Sequence, residues 1–546
     1  MQLDNNAIAY AVAKTEIPLN KVISTCNLLF VEDCTIPFIS RYRKEATGNL
    51  DEVQVRDIQD AYEEHIEIEK RRSFILESIK KQEKLTPSLE KSIKAASTLN
   101  ILEDLYAPYK SKRKTKGTVA KEKGLEPLSL WILDSKDSFE SKIEELKKQY
   151  VDDSEGKVKD MQEALNGACD ILVENFSQNI ETKETIRQVY WSQGKIGTEK
   201  RKDAEKIEDS HKFKDFFEFN ENINQIKDPK NTHRYLAMRR GMTLKVLKVT
   251  TTIDEQIAYD TIEANEFAKG ENLGNYDLLK KLAKKSFDNT ISTSMDLEVK
   301  GDLKKIADQA AIDVFGVNLK NLLLQPYLGT KTVLGIDPGI RTGCKIVVID
   351  ATGKFIGDHV IYPFAPKFDL SGSKLILEKL IEAFNVEYIA IGNGTNGRET
   401  LEFVEDNLKA VKDGTVKATM INESGASIYS ASDIARKEFP DKDVTVRGTI
   451  SIARRFQDPL AELVKLDPKS IGVGQYQHDV NQIRLKKSLE GVVENCVNYV
   501  GVDLNTASAP LLSFISGIGP TVADNIVKLR EKKGQFKNRS ELLKVP

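Results

Sequence analysis

Residues 333–353 read VLGIDPGIRTGCKIVVIDATG. An apolar run ends at Asp337, the chain turns at Pro338-Gly339, and a second apolar run ends at Asp350. Short apolar runs bounded by turn residues are the pattern of buried strands. A carboxylate at the tip of such a strand is costly unless something uses it. Three readings of Asp337 stay open on these residues alone: part of a metal-dependent nuclease site, the lip of a nucleotide pocket, or a turn residue.

Working outward, TVLGID, CKIVVID and KFIGDHVIYPF form three strand candidates joined by short turns. A helix (374–384), a strand (387–392), a helix (398–410), a strand (417–422) and a helix (427–438) follow. The order βββαβαβα predicts a mixed sheet with helices on its faces. It is the order of ribonuclease-H-like domains. Residues 1 to about 320 show helical spacing of Ile, Leu and Val with Lys/Glu-rich faces, as in IQDAYEEHIEIEKRRSFILESIKKQ (58–82). Thr86 before Pro87 reads as a helix start. GMTLKVLKVTTTID (241–254) alternates like a strand and predicts a small sheet within the helices. Helical patterns return from 450, and LLSFISGIGPTVADNIVKLREKKG (511–534) reads as helix, tight turn, helix. The fold class is multidomain and mainly α with one α/β domain.

Length and composition bound the function. A chain of 546 residues is too long for one core, and three to five domains are expected. Lys+Arg is 81 and Asp+Glu 83, so any nucleic-acid argument must rest on local patches. Cys26, Cys34, Cys169, Cys344 and Cys496 are odd in number and never at CxxC spacing. That disfavours a disulfide framework or structural zinc and fits a reducing cytoplasm. The start, MQLDNNAIAYAVAK, has no signal-peptide pattern. No apolar run approaches the ~20 residues that span a bilayer. A cytoplasmic monomer away from membranes is expected. The final RSELLKVP begins a helix without a partner for it, which reads as a piece of a longer protein.

The most specific local signal is SGIGPTVADNIVKLR. Ser516-Gly517-Ile518-Gly519 is expected to join two helices, with Pro520 at the first position of the second. Amides at such a helix N-terminus favour an anion, here a nucleic-acid phosphate contacted without sequence reading. This resembles a helix-hairpin-helix motif. Lys528 and Arg530 follow, with Lys532 and Lys533. A second signal is YKSKRKTKG (109–117), with Lys110, Lys112, Arg113, Lys114 and Lys116 as candidate phosphate contacts or a solvated loop. Arg41, Arg43 and Lys44, and Arg234, Arg239 and Arg240, are candidates to extend a basic surface.

A ribonuclease-H-like nuclease needs several carboxylates at the strand ends, holding two divalent metals. Asp337, Glu423 in INESGAS, and Asp433 on the following helix are the candidates, with Asp337 as the candidate metal ligand. The fourth strand ends in Gly392-Asn393-Gly394-Thr395 with no acid, and a neutral Asn binds a hard cation poorly. The site is therefore incomplete on paper. No cofactor is expected, with Mg²⁺ required only on the nuclease reading. A rival is the phosphate hairpin of actin-like ATPases, in which Gly339 and Thr342 would cradle phosphate. It lacks a second similar subdomain and an adenosine motif. A Walker loop is excluded by spacing. His65, His211, His233, His359 and His478 are scattered and suggest no triad.

TIPFISRYRKEATGNLDEVQ, HRYLAMRRG, VLGIDPGIRTGCKIVVID, INESGASIYSAS, RGTISIARRFQDPLAELVKLDPKSIGVGQYQHDV and LNTASAPLLSFISGIGP together resemble the bacterial Tex family of transcription accessory proteins. So does the long stretch LTPSLEKSIKAASTLNILEDLYAPYKSKRKTKGTVAKEKGLEPL. The resemblance implies a helix-turn-helix-like N-terminal module (1–70) and a helical scaffold with a small β insertion (71–325). A YqgF-like, ribonuclease-H-like domain (326–450), a helical connector (451–500) and a truncated helix-hairpin-helix (501–546) complete it. A family OB-fold barrel that binds RNA is expected beyond this end. The implied function is RNA and/or DNA binding through backbone phosphates, with low sequence specificity, by a transcription accessory scaffold that lacks a full nuclease site. The alternative is a metal-dependent nuclease of ribonuclease-H-like or Holliday-resolvase type on structured nucleic acid. An interaction platform for the transcription or translation machinery is a third reading.

Overall fold

The computed structural model describes residues 3–110, 114–151, 158–267, 273–505, 507–515, 517–534 and 536–546. The chain divides into two compact units. One comprises residues 24–56 and 311–546, the other residues 2–23 and 57–310.

In the second unit, helices dominate and begin where the sequence marks them. The Thr86 hydroxyl accepts from the Leu89 amide at 3.2 Å, and Pro87 opens that helix. The helix predicted over 58–82 falls on α1, Glu52–Lys81, which begins six residues earlier and ends one residue sooner and whose start is capped by Asp51. The small sheet is real and larger than its one visible strand. Strands β1 (Lys195–Lys200), β2 (Asn220–Asn222) and β3 (Leu247–Thr252) pair antiparallel in the order β2-β1-β3. β3 is the stretch read as a strand. β1, KIGTEK, buries only Ile196 and Thr198, too few apolar positions for a period to show. Arg187 anchors this unit's interior. It donates to Asp104 at 2.6 Å and also bonds Glu298, while Lys183 meets Asp104 at 2.9 Å. Glu298 belongs to α2, Ser292–Leu323. A buried charge set of this kind is tolerated because every member is paired.

The first unit carries the α/β domain. β4 (Val333–Asp337), β5 (Cys344–Ile349) and β6 (Phe355–Ile361) form the antiparallel half of a five-stranded sheet. α3 (Leu370–Phe384), β7 (Tyr388–Gly392), α4 (Gly397–Asn407) and β8 (Lys417–Ile421) follow, with β7 parallel to both β4 and β8. The strand order is β6-β5-β4-β7-β8. Four of the five β4 residues are fully buried, so the strand reads as an apolar run rather than an alternation. On one face Leu334, Ile336 and Ile346 pack with Leu377 of α3 and Phe403 of α4. On the other, Val333, Val347 and Ala390 pack with Ile450 and Ala453 of α5, Val444–Gln457. The boundary drawn at 450 in the sequence thus falls inside α5, a helix of the sheet's own core. Gly335 is the point of closest approach. A Cβ there would lie 2.9 Å from the Ala453 Cβ and 3.1 Å from the Thr449 carbonyl oxygen.

Two further long helices of this unit are α6 (Gln482–Val500) and α7 (Pro520–Lys533). The turn before α7 is preceded by a single helical turn, Ala509–Leu512, shorter than the helix expected there. Ser540–Leu543 lie in a 3₁₀ segment, Arg539–Lys544, in place of an α-helix start. Among the described residues, no helix is long and apolar enough to cross a membrane.

Candidate nucleic-acid interface and the acidic pair

The turn into α7 has the geometry that anion contact requires. Gly517 adopts φ +87°, a left-handed conformation that an L side chain resists. Gly519 is the N-cap of α7, with φ −73° and no side chain capping the first-turn amides. A Cβ at Gly517 or Gly519 would meet no atom within 4 Å. Packing therefore does not demand these glycines. The open side of the turn presents uncapped amides at the positive end of a helix dipole. Ile518 bonds back to the Ile515 carbonyl at 2.9 Å, and Asn498 of α6 donates to the Phe514 carbonyl at 3.0 Å, which fixes the turn. Ser516 lies outside the described residues.

The cations near the turn do not all remain available. Lys528 is exposed. Arg530, expected as a phosphate contact, instead donates to the main-chain carbonyls of Leu504 at 2.9 Å and Ala507 at 2.8 Å. It latches the segment before the hairpin. Arg530→Ala leaves two carbonyls without a charged donor and should loosen that latch by about 1–3 kcal/mol. Hydrogen exchange at residues 501–510 reads the change, and Lys528→Ala should leave it untouched. The basic run is similarly divided. Lys110 bonds Glu103, and Lys114 meets Glu122 at 2.7 Å. Burial works against the Glu103 carboxylate, yet the bonds from Arg71 and Lys110 hold it below its ordinary range. Lys116, at the first position of its helix, is exposed. Lys112 and Arg113 lie outside the described residues. Arg234 is held by both Glu221 oxygens at 3.0 Å.

The second cluster stands at the carboxyl ends of β4, β7 and β8, where open α/β sheets bind ligands. Asp337 ends β4, opposite Lys345 in the β4–β5 register. Lys345 turns its ammonium to the carbonyls of Thr342 at 2.8 Å and Gly343 at 3.0 Å. Burial first, and the nearby Glu423 charge second, push the Asp337 carboxyl up to about 6, with Lys345 opposing them. Glu423 leans over the β7 loop. A Cβ on Gly392 would fall 2.4 Å from its Oε2, and a Cβ on Gly394 would fall 1.8 Å from its Oε1. That hypothetical Cβ on Gly392 is also 3.3 Å from the Pro338 Cδ, which sets the Glu423 carboxylate beside the β4 turn. Asn393 has a positive role. Its Oδ1 accepts the Glu423 amide at 3.1 Å and so positions that acid.

Asp433 does not join them. Its side chain is 87% exposed and pairs with Arg436 at 3.3 Å on the outer side of its helix. Arg455, which sequence reasoning passed over, does belong here. It is 3% exposed and donates to the Asn422 carbonyl at 3.0 Å and the Ser424 carbonyl at 2.8 Å, bracing the turn that carries Glu423. An arginine pair inside the otherwise apolar SIARRF was its only signal. A two-metal nuclease needs a third and fourth acid. Among the described residues, no group of three or more His, Cys, Asp or Glu side chains comes together. Asp337 and Glu423 alone, with Asn393 engaged as an acceptor, do not fit a divalent metal pair.

Comparison with known proteins gives this arrangement a lineage. Residues 331–457 match the family model described as the Tex protein YqgF-like domain. Residues 139–315 match the Tex central region-like model, and 5–80 the Tex-like protein N-terminal domain. Protein Tex of Bordetella pertussis is 44% identical over 539 residues, covering 96% of this chain and 67% of that protein. The chain belongs to the Tex family. The transcriptional accessory protein Tex of Neisseria gonorrhoeae is 42% identical over 546 residues, covering 99% of this chain and 69% of that Tex protein. More distantly, the human S1 RNA-binding domain-containing protein 1 is 35% identical over 538 residues, covering 95% of this chain and 52% of its own length. Residues 497–546 match a helix-hairpin-helix motif, so the Tex assignment and the open turn at Gly517–Gly519 coincide.

Proposed function

We propose that this chain binds RNA and/or DNA through backbone phosphates, with low sequence specificity, as a transcription accessory scaffold. The observation that carries the reading is the uncapped start of α7 at Gly519, where an added Cβ would meet no atom of the described residues within 4 Å. The helix-hairpin-helix match and the names of the Neisseria and human relatives support it. Beside the hairpin, the exposed Lys528 adds to the phosphate field; Lys116, exposed in the other unit, is a separate candidate phosphate contact. The acidic pair at Asp337 and Glu423 serves the nuclease alternative poorly, since among the described residues no third acid joins them.

Gly519→Val is a clean test, because its φ of −73° suits any residue and its Cβ meets nothing in the chain. The fold should be retained. Affinity for single- and double-stranded RNA and DNA should fall together, by about tenfold, since phosphate contacts carry no sequence information. Fluorescence anisotropy across a salt series reads both affinity and the number of phosphates engaged. Unchanged affinity in a folded variant would remove the hairpin from the binding surface.

A further inference from the structure

Away from the hairpin, the unit of residues 24–56 and 311–546 holds an open groove of about 610 Å³. Its two long walls are helical. α2 contributes Val317 and Lys320, with Leu324 just past its end, and α6 contributes Val492, Cys496 and Tyr499. Positions spaced by three or four residues fall on one side of a helix, so each wall is a continuous face about three turns long. The helices approach closely at Gly316, where a Cβ would stand 3.4 Å from the Val492 Cγ2. The start of α1 closes one end with Val53 and Arg56.

The lining is apolar and accessible. Val317 is 59% exposed, Val53 60% and Tyr499 73%. Aliphatic side chains left in water along a groove mark a binding surface. Its charge is lopsided. Among the described residues, Arg41, Arg56 and Lys320 pair with no carboxylate. Arg41 is held in place by the Asn495 carbonyl at 3.1 Å, with its guanidinium 5.7 Å from the Tyr499 ring centroid. Of the two acids on the rim, Glu52 is bonded to the Asn495 amide. Asp313 is the other.

We propose that this groove receives an amphipathic helix of a partner protein, with apolar residues on one side and Asp or Glu on its flanks. Helix-in-groove recognition uses anchors at i, i+3 or i+4, and i+7, which is the spacing the two walls present. The three cations supply charge complementarity and orient the incoming helix. A nucleic-acid strand fits less well. Its bases need exposed ring faces, whereas among the described lining residues the one ring is Tyr499 with Arg41 already over it, and two acids line the path of the phosphates.

The test is selection from a displayed library of helical peptides with randomised faces, against the full chain. Enriched peptides should carry apolar anchors at helical spacing flanked by acids. Their affinity should fall by about tenfold or more for Lys320→Glu and for Val317→Asp. Both side chains are exposed, so both variants should match the wild-type melting profile. A labelled single-stranded deoxythymidine oligonucleotide should bind the wild type and Lys320→Glu alike. Failure to enrich any peptide, enrichment without acids, or enriched peptides that bind the variants unchanged would overturn the proposal. Loss of the oligonucleotide alone in Lys320→Glu would do so too, by assigning the groove to nucleic acid.

Discussion

Gly335→Val should unlock the α/β domain. Its side chain would enter the space between β4 and α5, where a Cβ already lies 2.9 Å from Ala453 and 3.1 Å from the Thr449 carbonyl. The obstructing atoms are main chain and a short side chain on a packed helix, so no rotamer change relieves the clash. Overpacking at such a contact should cost about 3 kcal/mol. A chain with several cores does not unfold in one step, so the loss is best read locally. Hydrogen exchange should accelerate in β4, β5 and β7, the strands beneath α5, and stay unchanged in the unit of residues 57–310. Gly357→Val supplies the control. That position is on β6 of the same sheet, and a Cβ there meets nothing within 4 Å. Unaltered protection in the Gly335 variant would mean that α5 does not press on the sheet at this point.

Asp337→Asn should have the opposite sign. Burial and the neighbouring Glu423 raise the Asp337 carboxyl from its ordinary 3.8 to about 6. The native group therefore holds its proton more tightly than the unfolded one. Between pH 4 and 6 the unfolded chain binds fewer protons, so native stability falls as pH rises through that window. Near pH 7 the native state carries a buried carboxylate, a cost on the order of 2 kcal/mol. Removing that charge should raise the melting temperature of this unit at pH 7, and the gain should vanish below about pH 4. Asp433→Asn, at an exposed and ion-paired position, should show no such pH-dependent gain. A destabilised Asp337 variant at pH 7 would show that the ionised carboxyl is held by favourable contacts.

Much of the α/β domain was legible because its central strands are buried on both faces and separated by strong turn residues. TVLGID, CKIVVID and EYIAIG needed no partner to be recognised, and their order fixed the sheet. Strand β1 escaped because a strand with two buried residues leaves no period. In the candidate site, Asp337 and Glu423 are legible as acids that end or follow strands; Glu423 stands over Gly392 and Gly394, and its charge reaches Asp337. The orientation of Asp433 was not visible, since one residue of helical rotation decides between sheet and solvent. Nor was the latch of Arg530, whose acceptors are carbonyls that no sequence pattern advertises. The groove was beyond reach for a related reason. Its walls come from residues 313–324 and 488–499, whose faces join only after folding.

The bare start of α7 carries a last consequence. Glycine is itself a serviceable N-cap, only a few tenths of a kcal/mol worse than Ser, Asp or Asn, yet Gly519 forgoes their side-chain bond. A polar cap at 519 would firm the helix by satisfying its leading amides from within. Those same amides would then be occupied when a phosphate arrived. Self-sufficiency and receptivity compete for one set of donors, and the glycine settles the competition in favour of the visitor.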